Sequence, residues 1–347
     1  MNEKQPDAHF RHRRQVLQGA AAALLGVGTG TRALAAEKSL QVGGLPVTCN
    51  LTLPVACMAS AMDANLPKGS DPLFEFSKYS GWPEIKESLM SGRLKAAYML
   101  APLIMDLADS AIPVKVVSLG HRSGAVIMVR TDAPYKNFKD LTRKRVAVPS
   151  RFAVDYLFLR KMLAKEGMTL KDIEVVEMAP PDMPAALYAR QVDAYATGEP
   201  FGAVAEVGGY ARILYMTRDK WPSYVCCVLT VRQELIDRNR PQVQQLVDHV
   251  LSAGAWLEAG QANRDRAADL VAAPDLFNQS PGIIRHVLSN PRDRVTYADL
   301  RLVRSELDEL MEAALEAGII RQRIPYERYV DDSFQRAARP VDIRVER

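Results

Sequence analysis

Between Lys38 and Arg232, apolar and polar positions alternate in short runs that stop at glycine or proline, which predicts strands joined by short helices. "KSLQVGGLPVTCN" predicts a first strand ending near Pro46. The apolar stretch from Asn50 to Ala64 predicts a helix starting near Thr52 or Leu53, with Pro54 tolerated in its first turn. Pro83 suits the first turn of the next helix and Gly92 its end, and "LKAAYML" reads as a strand. "VKVVSLG" and "GAVIMVR" are β-branched runs separated by "GHRSG", which either breaks one strand or connects two. From Ala133 the chain passes to a second unit: a strand at Arg145–Val148, a helix with Ser150 as its expected N-cap, and the strand "IEVVEMA". "SYVCCVLTVRQELI" carries the chain back to the first unit. Residues 237–347 read mostly as helix, with Pro241 and Ser280-Pro281 opening two helices and a long amphipathic one over 299–317.

One pattern occurs twice. "PEIKESLMSGRLKAAYMLAP" (83–102) and "PDMPAALYARQVDAYATGEP" (181–200) align at an offset of 98. Each reads as a short helix, a tight turn, a strand and a proline-terminated loop. Two similar α/β units follow, and ligands of open α/β sheets bind beyond the carboxyl ends of strands.

The 347 residues are enough for two domains, and 48% hydrophobic with 25% charged residues is ordinary for a globular chain. The N-terminus departs from this. Arg13-Arg14 precedes an uncharged stretch from Gln15 to Thr31, and Ala33-Leu34-Ala35 supplies small residues, the layout of an export signal of twin-arginine type over residues 1–35. An uncleaved anchor is the competing reading, marginal for so short and glycine-rich a run. The net charge of +4 comes largely from this segment: residues 1–35 hold five of the 45 Lys and Arg and two of the 41 Asp and Glu, so the remainder is near neutral at +1. Nothing there argues for a nucleic-acid surface.

Cys49, Cys57, Cys226 and Cys227 lack the C-x-x-C spacing of a zinc site, so no metal or cofactor is expected. Cys49 and Cys57 lie close enough for a local bridge across a turn. Cys226 and Cys227, adjacent in a strand, are expected on opposite faces. Candidate ligand contacts gather at strand ends. Ser150, Arg151 and Phe152 stand where a strand meets a helix N-terminus, a favourable place for an oxyanion. Thr48 and Asn50 follow the first strand; His121 and Arg122 sit between glycines in a crossover; Trp82 and Tyr98 are aromatic candidates for the wall; Trp221, Tyr224 and Cys226 lie near the return crossing. Glu199 is at odds with a simple anion. It orients a cation or binds an amine or N–H group of a ligand.

Together, the export signal, "GGLPVTCNLTLPVA", "GRLKAAYMLAPL", "RVAVPSRFAVDYLFLRKML" and "QVDAYATGEPF" resemble the substrate-binding proteins of ABC importers, of the nitrate, bicarbonate, sulfonate and taurine type, which is also similar to thiamine-precursor binding proteins. The resemblance runs over about residues 40–260 and rests on the order of the motifs. It implies an α/β, two-lobe periplasmic-binding-protein-like fold with hinge crossovers and a helical C-terminal part, with lobe I at 36–130 plus 225–347 and lobe II at 131–224. It implies that Gly198-Glu199-Pro200 faces Leu100-Ala101-Pro102 across a small anion or zwitterion. It further implies a periplasmic monomer that delivers its ligand, without catalysis, to a membrane permease and its ATPase. A periplasmic sensor subunit and a thiamine-precursor-type enzyme are the alternatives. For the enzyme, no paired carboxylates and no Ser-His-Asp order stand out.

Overall fold

The computed structural model describes residues 39–63, 70–222 and 224–345. The export signal expected over residues 1–35 lies outside them. Two five-stranded sheets organise the chain. The first begins with β1 (Leu40–Gly44), followed by helix α1 (Thr52–Ala61), β2 (Phe74–Lys78), α2 (Trp82–Met90), β3 (Ala96–Leu100), α3 (Ala101–Asp109) and β4 (Val114–Leu119). The sheet order is β2-β1-β3-β11-β4, where β11 (Cys227–Arg232) is the returning strand. β1 runs parallel to β2 and β3, and β11 is antiparallel to both β3 and β4. The carboxyl ends of β1, β3 and β4 and the start of β11 therefore share one edge. β3 is buried on both faces, which is why it reads as an uninterrupted "AAYML".

A two-residue strand, β5 (Arg122–Ser123), leads into β6 (Ala125–Arg130). "GHRSG" thus connects two strands of different sheets. β6, placed in the first lobe by the sequence, pairs with β9 and β10 of the second sheet. That sheet contains β7 (Arg145–Val148), β8 (Glu174–Glu177), β9 (Ala194–Gly198) and β10 (Ala211–Met216), in the order β10-β6-β9-β7-β8. Between them lie α4 (Val154–Lys165), α5 (Met183–Tyr188) and α6 (Phe201–Val207). β7 is parallel to β8 and β9, so their carboxyl ends form a second common edge. Edge strand β8, "EVVE", exposes glutamates at both ends, which discourages pairing with another chain.

A short helix, α7 (Thr217–Lys220), precedes the return crossing. The C-terminal part is helical: α8 (Gln233–Ala259), α9 (Gln261–Val271), α10 (Pro281–Ser289) and α11 (Arg304–Glu316). α8 breaks at Asn239, whose φ of −147° is not helical, so Pro241 opens a second segment as the sequence predicts. α11 starts later than predicted, because residues 299–303 are not helical and Leu300 instead packs on Gly254 of α8 and accepts the Leu119 N–H of β4. Between α10 and α11, β12 (Val295–Thr296) pairs with β5. Among the described residues no helix is long and apolar enough to cross a membrane.

Candidate functional site: a thiol-lined cleft between two sheet edges

The two edges face each other across a cavity of about 20 Å3. From the first sheet it is lined by Val47, Cys49, Leu100, Cys226 and Cys227; from the second, by Pro149, Pro180, Thr197 and Gly198. Trp82 at the start of α2 and Asp155 in the first turn of α4 complete it. No lysine or arginine is among the lining residues. A space of this size holds about one water-sized body.

The loops are locked across the cleft. Thr48 N–H and Oγ both donate to the Glu199 carbonyl, at 2.9 and 3.1 Å. A Cβ on Gly198 would stand 3.2 Å from Cys49 Sγ, so glycine is what lets this strand end approach the sulfur. A strap from the C-terminal part reaches both sides: Tyr297 Oη donates to the Thr48 carbonyl at 2.8 Å, and Arg294 Nε donates to Glu199 Oε1 at 2.7 Å. Arg294 and Glu199 side chains are both fully buried. Arg294 also holds Glu206 Oε2 at 2.7 Å, and Ala203 N–H donates to the other Glu199 oxygen at 2.9 Å. Burial raises the Glu199 carboxyl above its ordinary range, against the pull of Arg294.

One wall is a cluster of soft ligand atoms. Sulfurs of Cys49, Cys226 and Cys227 and a ring nitrogen of His121 all lie within 4.8 Å of one another, and all four residues are buried. Cys226 Sγ and Cys227 Sγ are 3.7 Å apart. Alternation does not separate them, because β11 begins only at Cys227 and Cys226 belongs to the loop before it. The Cys227 N–H donates to His121 Nε2 at 3.3 Å, and His121 Nδ1 is buried without a hydrogen-bond partner among the described residues. Hydrogen bonds from the Cys226 and Cys227 thiols pull Cys49 down to about 6, against burial. Asp155 is pushed up to about 7 by burial, reinforced by the nearby Cys226 sulfur, although Tyr224 Oη donates to it at 3.3 Å. The Thr197 hydroxyl is another buried group without a partner among the described residues.

The residues predicted from sequence are divided. Cys226, Trp82 and His121 meet at or beside the cavity, Tyr224 supports it through Asp155, and Ala101 fixes the wall by donating its N–H to the Cys226 carbonyl at 2.9 Å. Thr48 and Glu199 stand at the cleft but spend their polar atoms on each other and on Arg294. Asn50 donates to the Leu45 carbonyl at 3.1 Å, leaving its Oδ1 buried and unpartnered among the described residues. Tyr98 is core, its hydroxyl 2.7 Å from Thr52 Oγ. Trp221 is buried edge-on to Tyr224, with Lys161 over its ring at 4.4 Å.

Four expectations are corrected. Arg151 is largely exposed and pairs with Glu177 at 3.0 Å, so its charge is spent at the surface. Ser150 does not cap α4, which starts at Val154; its hydroxyl accepts from the Phe152 N–H at 3.1 Å in the preceding turn, and half-buried Phe152 lies under Lys86 at 5.3 Å. Arg122 holds Glu306 at 2.9 and 3.0 Å and turns to the C-terminal part. Cys49 and Cys57 are both free, because α1 begins between them and no turn returns the chain.

Sequence reasoning missed Cys49 and Cys227 as cleft residues, and Asp155 and Thr197 altogether. A signal existed: "VTCN" follows the first strand and "VCC" leads into the returning antiparallel strand, which places both at the same sheet edge.

The NMT1-like family model matches residues 34–272. A nitrate import ATP-binding protein, NrtC, of Synechococcus elongatus is 26% identical over 266 residues, 72% of this chain and 39% of that protein. The chain spans from about a third to about half the length of the first curated relatives it matches. Among solved structures, the ligand-binding component of an ABC-type import system from Staphylococcus aureus, with zinc bound, superposes at a TM-score of 0.77 with 25% identity, covering 87% of this chain and 99% of that one. The periplasmic nitrate-binding protein NrtA from Synechocystis superposes at 0.76 with 16% identity, covering 86% and 87%, so the two-lobe fold is shared.

Proposed function

The chain belongs to the NMT1-like family, and from that premise we propose that it is the solute-binding component of an ABC importer. It takes a small solute between its lobes and hands it, without turnover, to a membrane permease and its ATPase. The observation that carries this reading is the facing of two sheet edges: every lining residue belongs to a strand end, or to the loop or helix start beside one. Hinge closure of two such lobes is an established way to enclose a ligand. The relatives and solved structures named above bear on the same reading, and with the leader expected at residues 1–35 we take the chain to work in the periplasm, as a monomer. We place the lobe boundaries at the two crossings, near Gly124 and near Tyr224, where the chain changes sheet.

A cavity this small does not take a nitrate or sulfonate without the lobes separating, and no cation lines it. The class of solute is therefore tested broadly. Thermal unfolding is followed against nitrate, nitrite, bicarbonate, thiocyanate, taurine, alkanesulfonates, thiamine pyrimidines and first-row metal ions. A concentration-dependent, saturable rise in Tm with one class is expected. Its absence with every class, in a protein shown to be folded, removes the reading.

A further inference from the structure

One wall of the cleft carries sulfur backed by an imidazole, and four observations set it apart from buried cysteines acting as small hydrophobes. First, three thiols and an imidazole from three separate segments converge within 4.8 Å. Second, the Cys226 and Cys227 sulfurs are 3.7 Å apart, close to the ~3.8 Å edge of a tetrahedron with metal–sulfur bonds of about 2.3 Å. Third, a ring nitrogen of buried His121 and the buried Thr197 hydroxyl have no hydrogen-bond partner among the described residues. A buried polar atom left unbonded is destabilising unless a ligand supplies the partner. Fourth, the space they border fits a single ion and no lysine or arginine competes for it.

We infer that Cys49, Cys226, Cys227 and His121 form a binding site for a thiophilic d10 metal ion, Zn(II) or Cu(I), inside the interlobe cleft. Three sulfurs and one imidazole are the donor set that selects such ions over magnesium, calcium or manganese. Each thiol that becomes a ligand releases its proton to solvent, so a three-thiolate site frees up to three protons per ion bound. The Ala101 N–H on the Cys226 carbonyl and the Gly120 N–H on the Cys227 carbonyl fix the backbone that carries two of the sulfurs. Gly198, whose missing Cβ leaves room beside Cys49, brings the second lobe against the same site, so binding is read by both lobes. The inference rests on the importer reading only in making this ion the solute.

The test is a titration of the purified, fully reduced protein with Zn2+ against a colorimetric chelator, with Co2+ as spectroscopic probe and proton release followed in weak buffer. One ion per chain, thiolate-to-cobalt charge-transfer bands with tetrahedral d–d intensity, and proton release are expected. Cys49→Ser, Cys226→Ser, Cys227→Ser and His121→Asn should each weaken the ion by more than about a hundredfold, since loss of even a ligand's outer partner reaches that range. Cys57→Ser, at a thiol outside the cluster, should leave it unchanged. Thermal unfolding checks that each variant folds, and the smallest change, serine for cysteine, keeps the shape of the site. Zinc affinity in Cys226→Ser and Cys227→Ser equal to that of the parent protein overturns the inference. So does a Cys226–Cys227 disulfide that persists under reductant. A saturable shift with an anion that Cys226→Ser leaves untouched, together with no zinc or cobalt bound to the reduced protein, removes the ion site and leaves the importer. Cluster-dependent ion binding that never stimulates a permease keeps the ion site and removes the importer.

Discussion

Asp155 shows what one residue's surroundings dictate. It sits in the first turn of α4, where a carboxylate is favoured by the helix dipole, yet burial at the cleft pushes it up to about 7. The folded protein therefore holds a proton that the unfolded chain gives up near pH 4. Stability is fully present below the unfolded value and is lost as pH rises to about 7, at up to about 1.4 kcal/mol per pH unit. Asp155→Asn should flatten that slope in urea unfolding across the window while leaving the stability at pH 4 nearly unchanged. A slope identical to the parent's would show that Asp155 is not the group responsible. Residues also mark the limit of reading a site from sequence. Arg151 has the right type in the right loop, but Glu177 at the end of β8 takes its charge, a partner 26 residues away that no local pattern reveals.

At the scale of elements, strands and helices were legible because their periodicity is local. β3, α2 and the Pro241 segment of α8 fall where alternation, proline and glycine place them. Assignments that depend on partners were less legible. β6 is as apolar as β4, and only pairing decides which sheet receives it. The two adjacent cysteines were misread for a related reason: alternation governs a strand, and the strand starts one residue late. Helix α8 illustrates a packing constraint of the same nonlocal kind. A Cβ on Gly254 would stand 2.7 Å from the Tyr297 carbonyl oxygen and 2.8 Å from Leu300 Cδ1. Helix propensity favours alanine there by about 1 kcal/mol, but overpacking costs about 1–3 kcal/mol and the obstacle is backbone. Gly254→Ala should lower stability by up to about 2 kcal/mol in urea titration; a gain would mean that the strap yields freely.

Over the whole molecule, the two sheet edges, the cleft and the C-terminal part act as one unit through Arg294 and Glu199. The pair has no exposure on either side chain, so removing one partner strands a buried charge. Arg294→Met should cost about 3–5 kcal/mol, and adding Glu199→Gln should restore a large part of that, because the loss is mostly desolvation. Additive losses in the double variant would contradict this. A cation for Glu199 to orient was expected from the sequence, but not which one: 95 residues separate the two charges, and Arg294 lies in "PRDRV" with no local pattern to single it out.

The strap has a consequence for time. Separating the lobes at Glu199 means pulling a carboxylate from a guanidinium where water has no access, and Thr48 must let go of the Glu199 carbonyl beside it. That barrier belongs to the protein and not to its cargo. Solutes that differ in how tightly they are gripped would then leave at one shared pace, set by how often the latch springs, and unloading on demand would require something outside the chain to pull on residues 294–297.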